Sequence, residues 1–152
     1  MLKGHCLCGG VAFEIAEPLG QAAYCHCTRC QRRTGNASSA GVRVAQGAVT
    51  ITRGADLVKA WDPADGNPKS FCTICGGALW SLDPATREIA AIRIGVLDPG
   101  HDVRPSAHVR TATAAAWEPI PDDGLPRLDG PPPAPATDLP LSSTPARRRP
   151  TS

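Results

Sequence analysis

Apolar side chains recur along this chain mostly at every second position, in short runs separated by glycine and proline. Between Gly9 and Ile15, Val11, Phe13 and Ile15 alternate with Ala12 and Glu14, the period of a half-buried β-strand. Ala22 to Cys25, Ser38 to Val44, Val49 to Arg53 and Leu57 to Trp61 are strand-like in the same way, with Gly47 and Gly54 as turn residues between them. A turn-rich loop, Asp62 to Pro68, precedes further extended segments at Lys69 to Cys72, Ala78 to Leu82, Ile89 to Gly95 and Ser106 to Thr111. One segment departs from this pattern. Cys27 to Thr34 holds neither glycine nor proline and is followed by Gly35, suited to a left-handed C-cap, which predicts a single short helix. Closely spaced strands with one helix predict a mainly β domain.

The pattern fails near the end of the chain. From about Gly130, prolines 131, 132, 133 and 135 give way to Ser, Thr and Arg147-Arg148-Arg149. Such a stretch has too little apolar surface to offset the entropy of ordering it. The expected organisation is one folded domain over 1–125 and a Pro-rich disordered tail over 126–152.

Composition narrows the class. Aromatic residues are 4% of the 152, so the core must rely on Val, Ile, Leu and Ala together with cross-links. With 15 glycines and 16 prolines, turns rather than long helices are expected. A net charge of +2 without a basic stripe argues against a nucleic-acid partner. No apolar run approaches the roughly 18 residues that span a bilayer. Met1 to Cys6 lacks the apolar stretch of a signal peptide, so the expected location is the cytoplasm. In a reducing compartment clustered thiols serve metals or catalysis rather than disulfides, and seven cysteines is an odd number to pair.

Those cysteines divide into two sets. Cys6-Leu7-Cys8-Gly9-Gly10 and Cys72-Thr73-Ile74-Cys75-Gly76-Gly77 are related motifs, each two close cysteines followed by two glycines. Zn2+ takes four thiolates tetrahedrally, and each motif supplies two. Their pairing completes a closed, structural site that also cross-links distant parts of the chain. The other three thiols, Cys25, Cys27 and Cys30, lie within six residues, with Cys27 and Cys30 on one face of the first helical turn. Three protein ligands and an exchangeable fourth position is the pattern of a catalytic Zn2+, which would hold an exogenous thiol as a nucleophilic thiolate. The alternative is a second closed site completed by a carboxylate or by His5, His26, His101 or His108; His26, between two ligands, is expected to point away. Arg29, Arg32 and Arg33 share one helical face, either to grip a substrate carboxylate or as a solvated surface.

Taken together, Gly4-His5-Cys6-Leu7-Cys8-Gly9-Gly10, Cys25-His26-Cys27-Thr28-Arg29-Cys30 with Thr34-Gly35, and Phe71-Cys72-Thr73-Ile74-Cys75-Gly76-Gly77 resemble the glutathione-dependent formaldehyde-activating enzyme family. Arg104-Pro105-Ser106-Ala107-His108-Val109 and Trp117 resemble its last strand and trailing tryptophan. The resemblance implies a tent-like fold of small antiparallel sheets around a structural zinc at Cys6, Cys8, Cys72 and Cys75. It implies a catalytic zinc at Cys25, Cys27 and Cys30, hence two Zn2+ per chain, and addition of glutathione to formaldehyde, a carbon–sulfur lyase reaction in reverse. The expected partners are a small thiol such as glutathione and a small aldehyde. His108 and Thr34 are candidates for steadying the developing alkoxide. The competing readings are a non-catalytic zinc- or glutathione-binding module and a protein-interaction domain; an iron–sulfur protein suits these motifs less well.

Overall fold

The structure is a computed structural model that describes residues 1–133. Strands dominate it, as the alternating pattern predicts. A three-stranded antiparallel sheet is made of β1 (Leu2–His5), β2 (Ala12–Ile15) and β5 (Val49–Arg53) in the order β1-β2-β5. A larger sheet runs β11-β10-β3-β4-β9-β8-β7-β6, from β3 (Ala22–Cys25), β4 (Ser39–Arg43), β6 (Val58–Trp61), β7 (Lys69–Cys72), β8 (Ala78–Leu82), β9 (Ile89–Arg93), β10 (His108–Val109) and β11 (Arg127–Leu128). Its pairings from β3 to β6 are antiparallel, whereas β10 joins both β3 and β11 in parallel. The expectation of small antiparallel sheets thus holds for the first sheet, while the second is broader and gains a short parallel edge.

Two of these strands are absent from the sequence expectation. Leu2-Lys3-Gly4-His5 carries too little alternation to register, yet β1 pairs with β2 from Leu2↔Ile15 to His5↔Ala12. Arg127–Leu128 lies beyond residue 125, where the folded domain was expected to end, and its position follows from the pairing of His108 with Arg127 and Val109 with Leu128. Residues 134–152 of the expected tail lie outside the described residues.

The core forms where the two sheets face each other. Phe13 and Ile15 from the small sheet, with Val11 just before β2, meet Val42, Leu79, Trp80 and Ile92 from the large one, all buried. Phe13 and Trp80 pack edge to face, with ring centroids 5.4 Å apart and planes at 89°. Trp80 and Phe13 are also the two largest fully buried side chains among the described residues. Cys6 and Cys72 are fully buried at its margin, so the first cysteine set is built into the packing.

The one α-helix among the described residues, α1 (Thr28–Thr34), buries none of its residues. Seven residues are too few for a helix to stand alone. It is held by its ends and by its polar side chains. Cys27 is the N-cap, its sulfur accepting from the Cys30 N–H at 3.4 Å. Gly35 closes the helix with φ of 68°. Gln31 donates from Nε2 to the carbonyls of His26 (2.9 Å) and Thr113 (2.8 Å), pinning α1 to the large sheet's edge.

Candidate metal and thiol site

Cys6 and Cys8 follow β1, and Cys72 and Cys75 stand at the end of β7 and in the turn after it. The two turns are built alike. The Gly9 N–H bonds the Cys6 carbonyl at 2.9 Å, and the Gly76 N–H bonds the Cys72 carbonyl at the same distance. Both glycines take positive φ, 72° and 70°, which lets the chain fold back at each motif. The four sulfurs lie within 4.8 Å of one another. Cys6 Sγ is 3.5 Å from Cys8 Sγ, and Cys8 Sγ is 3.9 Å from Cys72 Sγ. Four sulfurs around a tetrahedral Zn2+ at about 2.3 Å stand about 3.8 Å apart, so this donor set fits that ion. Backbone N–H groups turn toward the sulfurs: Val11 donates to Cys6 Sγ at 3.3 Å, and N–H groups of Cys8 and Gly77 draw the Cys75 thiol down to about 6.

The second set converges as well. Cys25 ends β3, Cys27 caps α1 and Cys30 lies in its first turn, and their sulfurs are also within 4.8 Å of one another. No histidine or carboxylate among the described residues joins this group. The hydrogen bond between Cys25 and Cys30 draws the Cys30 thiol down to about 5, with Arg93, Cys27 and Lys69 acting in the same direction and burial opposing them. The same bond pushes Cys25 up, so Cys25 keeps the shared proton.

Three cations gather beside these thiols. Arg33 extends from α1 to the carbonyls of Ser70 (2.7 Å) and Trp80 (3.3 Å). Arg93, at the end of β9, donates from Nη1 to the Ser39 hydroxyl and from Nη2 to that of Ser81 at 3.4 Å. The Lys69 ammonium bonds the same Ser81 hydroxyl at 3.2 Å. None of the three meets a carboxylate among the described residues, and Nη1 of Arg33 and Nε of Arg93 are covered without an acceptor. Burial together with the neighbouring Arg93 charge lowers Arg33 to about 10, and Lys69 is lowered for the same reasons.

Among the residues expected from sequence, the three helical arginines separate. Arg32 is exposed, Arg29 forms an ion pair with Asp65, and Arg33 alone turns inward. His26 points away from the thiols, as expected, and is buried: its Nε2 lies 2.8 Å from Nδ1 of His108, whose Nε2 lies 2.9 Å from Asp123 Oδ2. Both nitrogens of His108 are thereby engaged. The Thr34 hydroxyl donates to the Cys30 carbonyl at 2.8 Å, a helix-end bond. Neither side chain is free to steady an alkoxide. Lys69, Arg93 and Asp123 had no motif to mark them, although Lys69 stands three residues before Cys72.

A cavity of about 260 Å³ is bordered by Arg29 and Arg33 of α1, the helix that carries Cys30, by Lys69 and by Gly76, the residue after Cys75, and is walled by Trp61, Pro63 and Phe71. A more spacious depression of about 860 Å³ along Gly20, Gln21 and the His101 segment holds no cysteine.

Two convergent thiol sets on a mainly β framework define a domain with two cysteine clusters that could each hold a metal ion. The sequence profile of the glutathione-dependent formaldehyde-activating enzyme family matches residues 1–113, and the chain belongs to that family. A Halomonas elongata protein that bears the family's name provisionally is 27% identical over 95 residues, covering 59% of this chain and 60% of that protein. The match therefore spans less than two thirds of that relative's length. A Rhodobacter sphaeroides protein of known crystal structure is 25% identical with a TM-score of 0.48, over 66% of this chain and 91% of its own. No helix among the described residues is long and apolar enough to cross a membrane.

Proposed function

We propose that this protein is a cytoplasmic, zinc-dependent enzyme of the carbon–sulfur lyase type, adding glutathione or a similar small thiol to formaldehyde or another small aldehyde, or reversing that addition. The observation that carries the reading is the inequality of the two thiol sets. Cys6, Cys8, Cys72 and Cys75 offer a complete tetrahedron inside the packing, whereas Cys25, Cys27 and Cys30 offer three donors and leave a place for a ligand. Family membership supports this reaction class.

In this reading the four-thiolate set holds a structural Zn2+ and the three-thiolate set a catalytic one. A Zn2+ there keeps a thiol deprotonated near neutral pH and holds it in place. The chain's own residues do the rest. Arg33, Arg93 and Lys69 place positive charge beside the sulfurs and favour an anionic co-substrate over a neutral one. The thiol gives its proton to solvent, its sulfur forms a bond to the carbonyl carbon, and the C=O π pair moves to oxygen, which takes a proton back from solvent. The reverse reaction returns the same atoms.

The test is incubation of zinc-loaded protein with formaldehyde and glutathione, following S-hydroxymethylglutathione by NMR exchange. Acceleration over the spontaneous reaction is expected, with two zinc ions per chain by metal analysis. Two bound zinc ions and no acceleration with glutathione or any small thiol would overturn the enzyme reading and leave a thiol-binding module.

A further inference from the structure

The cavity beside α1 carries a charge pattern that reaction type alone does not require. Three cations border it, Arg29, Arg33 and Lys69, but they are not equivalent. Arg29 is spent on Asp65, bonding both its carbonyl (3.0 Å) and its carboxylate. Arg33 and Lys69 are not spent: their acceptors are two backbone carbonyls and one serine hydroxyl, all uncharged. Arg93 adds a third positive charge behind them through the Ser81 hydroxyl that it shares with Lys69.

Partly buried like charges raise the free energy of a fold unless something negative offsets them. No carboxylate among the described residues pairs with Arg33 or Lys69, and the Asp65 carboxylate is held by Arg29. The rest of the lining is largely apolar: Trp61, Pro63, Phe71 and Ala78. Apolar walls with two uncompensated cations at one end form a pocket for an anionic organic group, and a planar carboxylate is the anion a guanidinium takes best. In sequence Arg33 is one helical turn from Cys30, so a molecule seated here has the three-thiol set at its side.

We propose that this cavity is the carboxylate-binding subsite of the thiol co-substrate, with Arg33 and Lys69 determining specificity, so that the protein selects thiols bearing a carboxylate over neutral or cationic ones. The assignment rests on the reading of the three-thiol set as the place of a substrate thiol. It adds a rule about which thiols are accepted.

The experiment uses the full-length, zinc-loaded protein and S-methylglutathione, whose capped sulfur cannot act as a thiolate while its carboxylates remain. Calorimetry is expected to show saturable binding that Lys69→Gln weakens about tenfold and that Lys3→Gln, at an exposed side chain of β1, leaves intact. In parallel, the ratio of kcat/KM for glutathione to that for 2-mercaptoethanol is expected to fall about tenfold in Lys69→Gln. Because Arg33 also ties α1 to β7 and β8, its variant can fail through folding. Wild-type protein therefore supplies the second measurement: 3-mercaptopropionate should be preferred over 2-mercaptoethanol, and cysteamine should be poorest. No binding of S-methylglutathione, equal losses in Lys69→Gln and Lys3→Gln, or an unchanged ratio with no preference among the three small thiols would each overturn the subsite. Absence of turnover with every thiol, alongside Lys69-dependent binding of S-methylglutathione, would remove the enzyme reading and uphold the subsite.

Discussion

His26 and His108, 82 residues apart, meet 2.8 Å from Nε2 to Nδ1 inside the large sheet's edge. A third group joins them: the Asp123 carboxylate accepts from His108 Nε2, so both ring nitrogens of His108 are engaged. Burial, then the neighbouring charges of His108 and Arg127, lower His26 and favour its neutral form. Tyr24 stacks on His108 with centroids 5.0 Å apart. His108→Phe keeps that stacking and strands the polar groups on either side. It should destabilise the zinc-loaded protein by about 1–3 kcal/mol in urea unfolding, whereas Tyr24→Phe should cost less.

Asp123 belongs to the segment beyond residue 113, where the family match ends. The hydrogen bond from His108, supported by the Leu125 N–H, holds its carboxyl below the ordinary 3.8. A depressed carboxylate stabilises the fold above 3.8, and that stability is lost as pH falls through the lower native value. Asp123→Ala should therefore lower the Tm at neutral pH, with the gap from wild type narrowing on acidification below 3.8. A gap independent of pH would separate this segment's docking from the ion pair.

Much of the fold was legible before any coordinates. Val49–Arg53, Lys69–Cys72 and Ala78–Leu82 are strands with the limits that their alternation predicts, and α1 ends at Thr34 because Gly35 can take a left-handed cap. Local chemistry decides such elements. The strands that escaped, β1 and β11, are decided by partners: β1 has one strongly apolar residue in four, and β11 is two residues made into a strand by β10.

The candidate site divides in the same way. Paired cysteine motifs announce themselves by spacing. Lys69 and Arg93 do not, because their approach depends on register: Lys69 pairs with Ser81 across β7 and β8, and Ser81 with Ala91 across β8 and β9. The His26–His108 contact follows from the parallel alignment of β10 on β3, with His108 opposite Tyr24. Neither alignment is written in local sequence.

Gly54 tests how tightly the first cysteine turn is packed. Its φ is +70°, and a Cβ there would lie 2.1 Å from the Gly10 carbonyl oxygen, backbone that cannot swing aside. Gly54→Ala must move the end of β5 away from the turn that carries Cys8. A loss of about 2 kcal/mol or more is expected, with faster zinc release to a chelator. Gly47→Ala, at φ of +73° with open space around its Cβ, carries the backbone cost alone and should cost less.

The proposed division of labour between thiol sets predicts unequal responses to ligand removal. Binding of a structural Zn2+ contributes on the order of 10 kcal/mol, comparable with the whole stability of a domain. Cys72 is fully buried against the core, so Cys72→Ser should unfold the chain by circular dichroism at 37 °C. Cys25, Cys27 and Cys30 are only partly buried, and their triple serine variant should remain folded, retain one zinc and lose turnover. Unfolding of the triple variant would make the second set structural too.

Arg93 offers a test of the charge beside the three thiols that needs no substrate. In metal-free protein the bond from Cys25, with Arg93 and Lys69 adding to it, draws Cys30 to about 5 against an ordinary 9.0. A lowered thiol becomes a thiolate, and therefore a nucleophile, at correspondingly lower pH. Alkylation of Cys30 by iodoacetamide, mapped by mass spectrometry, should thus rise with pH well below 9.0, while Cys25, pushed up by the same bond, reacts last. Arg93→Met removes one positive charge and should move the Cys30 midpoint up by about one pH unit. Cys25→Ala, which removes the donor, should move it up further, since that bond is the larger influence. If Arg93→Met left the profile unchanged while Cys25→Ala shifted it, Arg93 would serve the packing of β4, β8 and β9 through Ser39 and Ser81 rather than the electrostatics of the thiols.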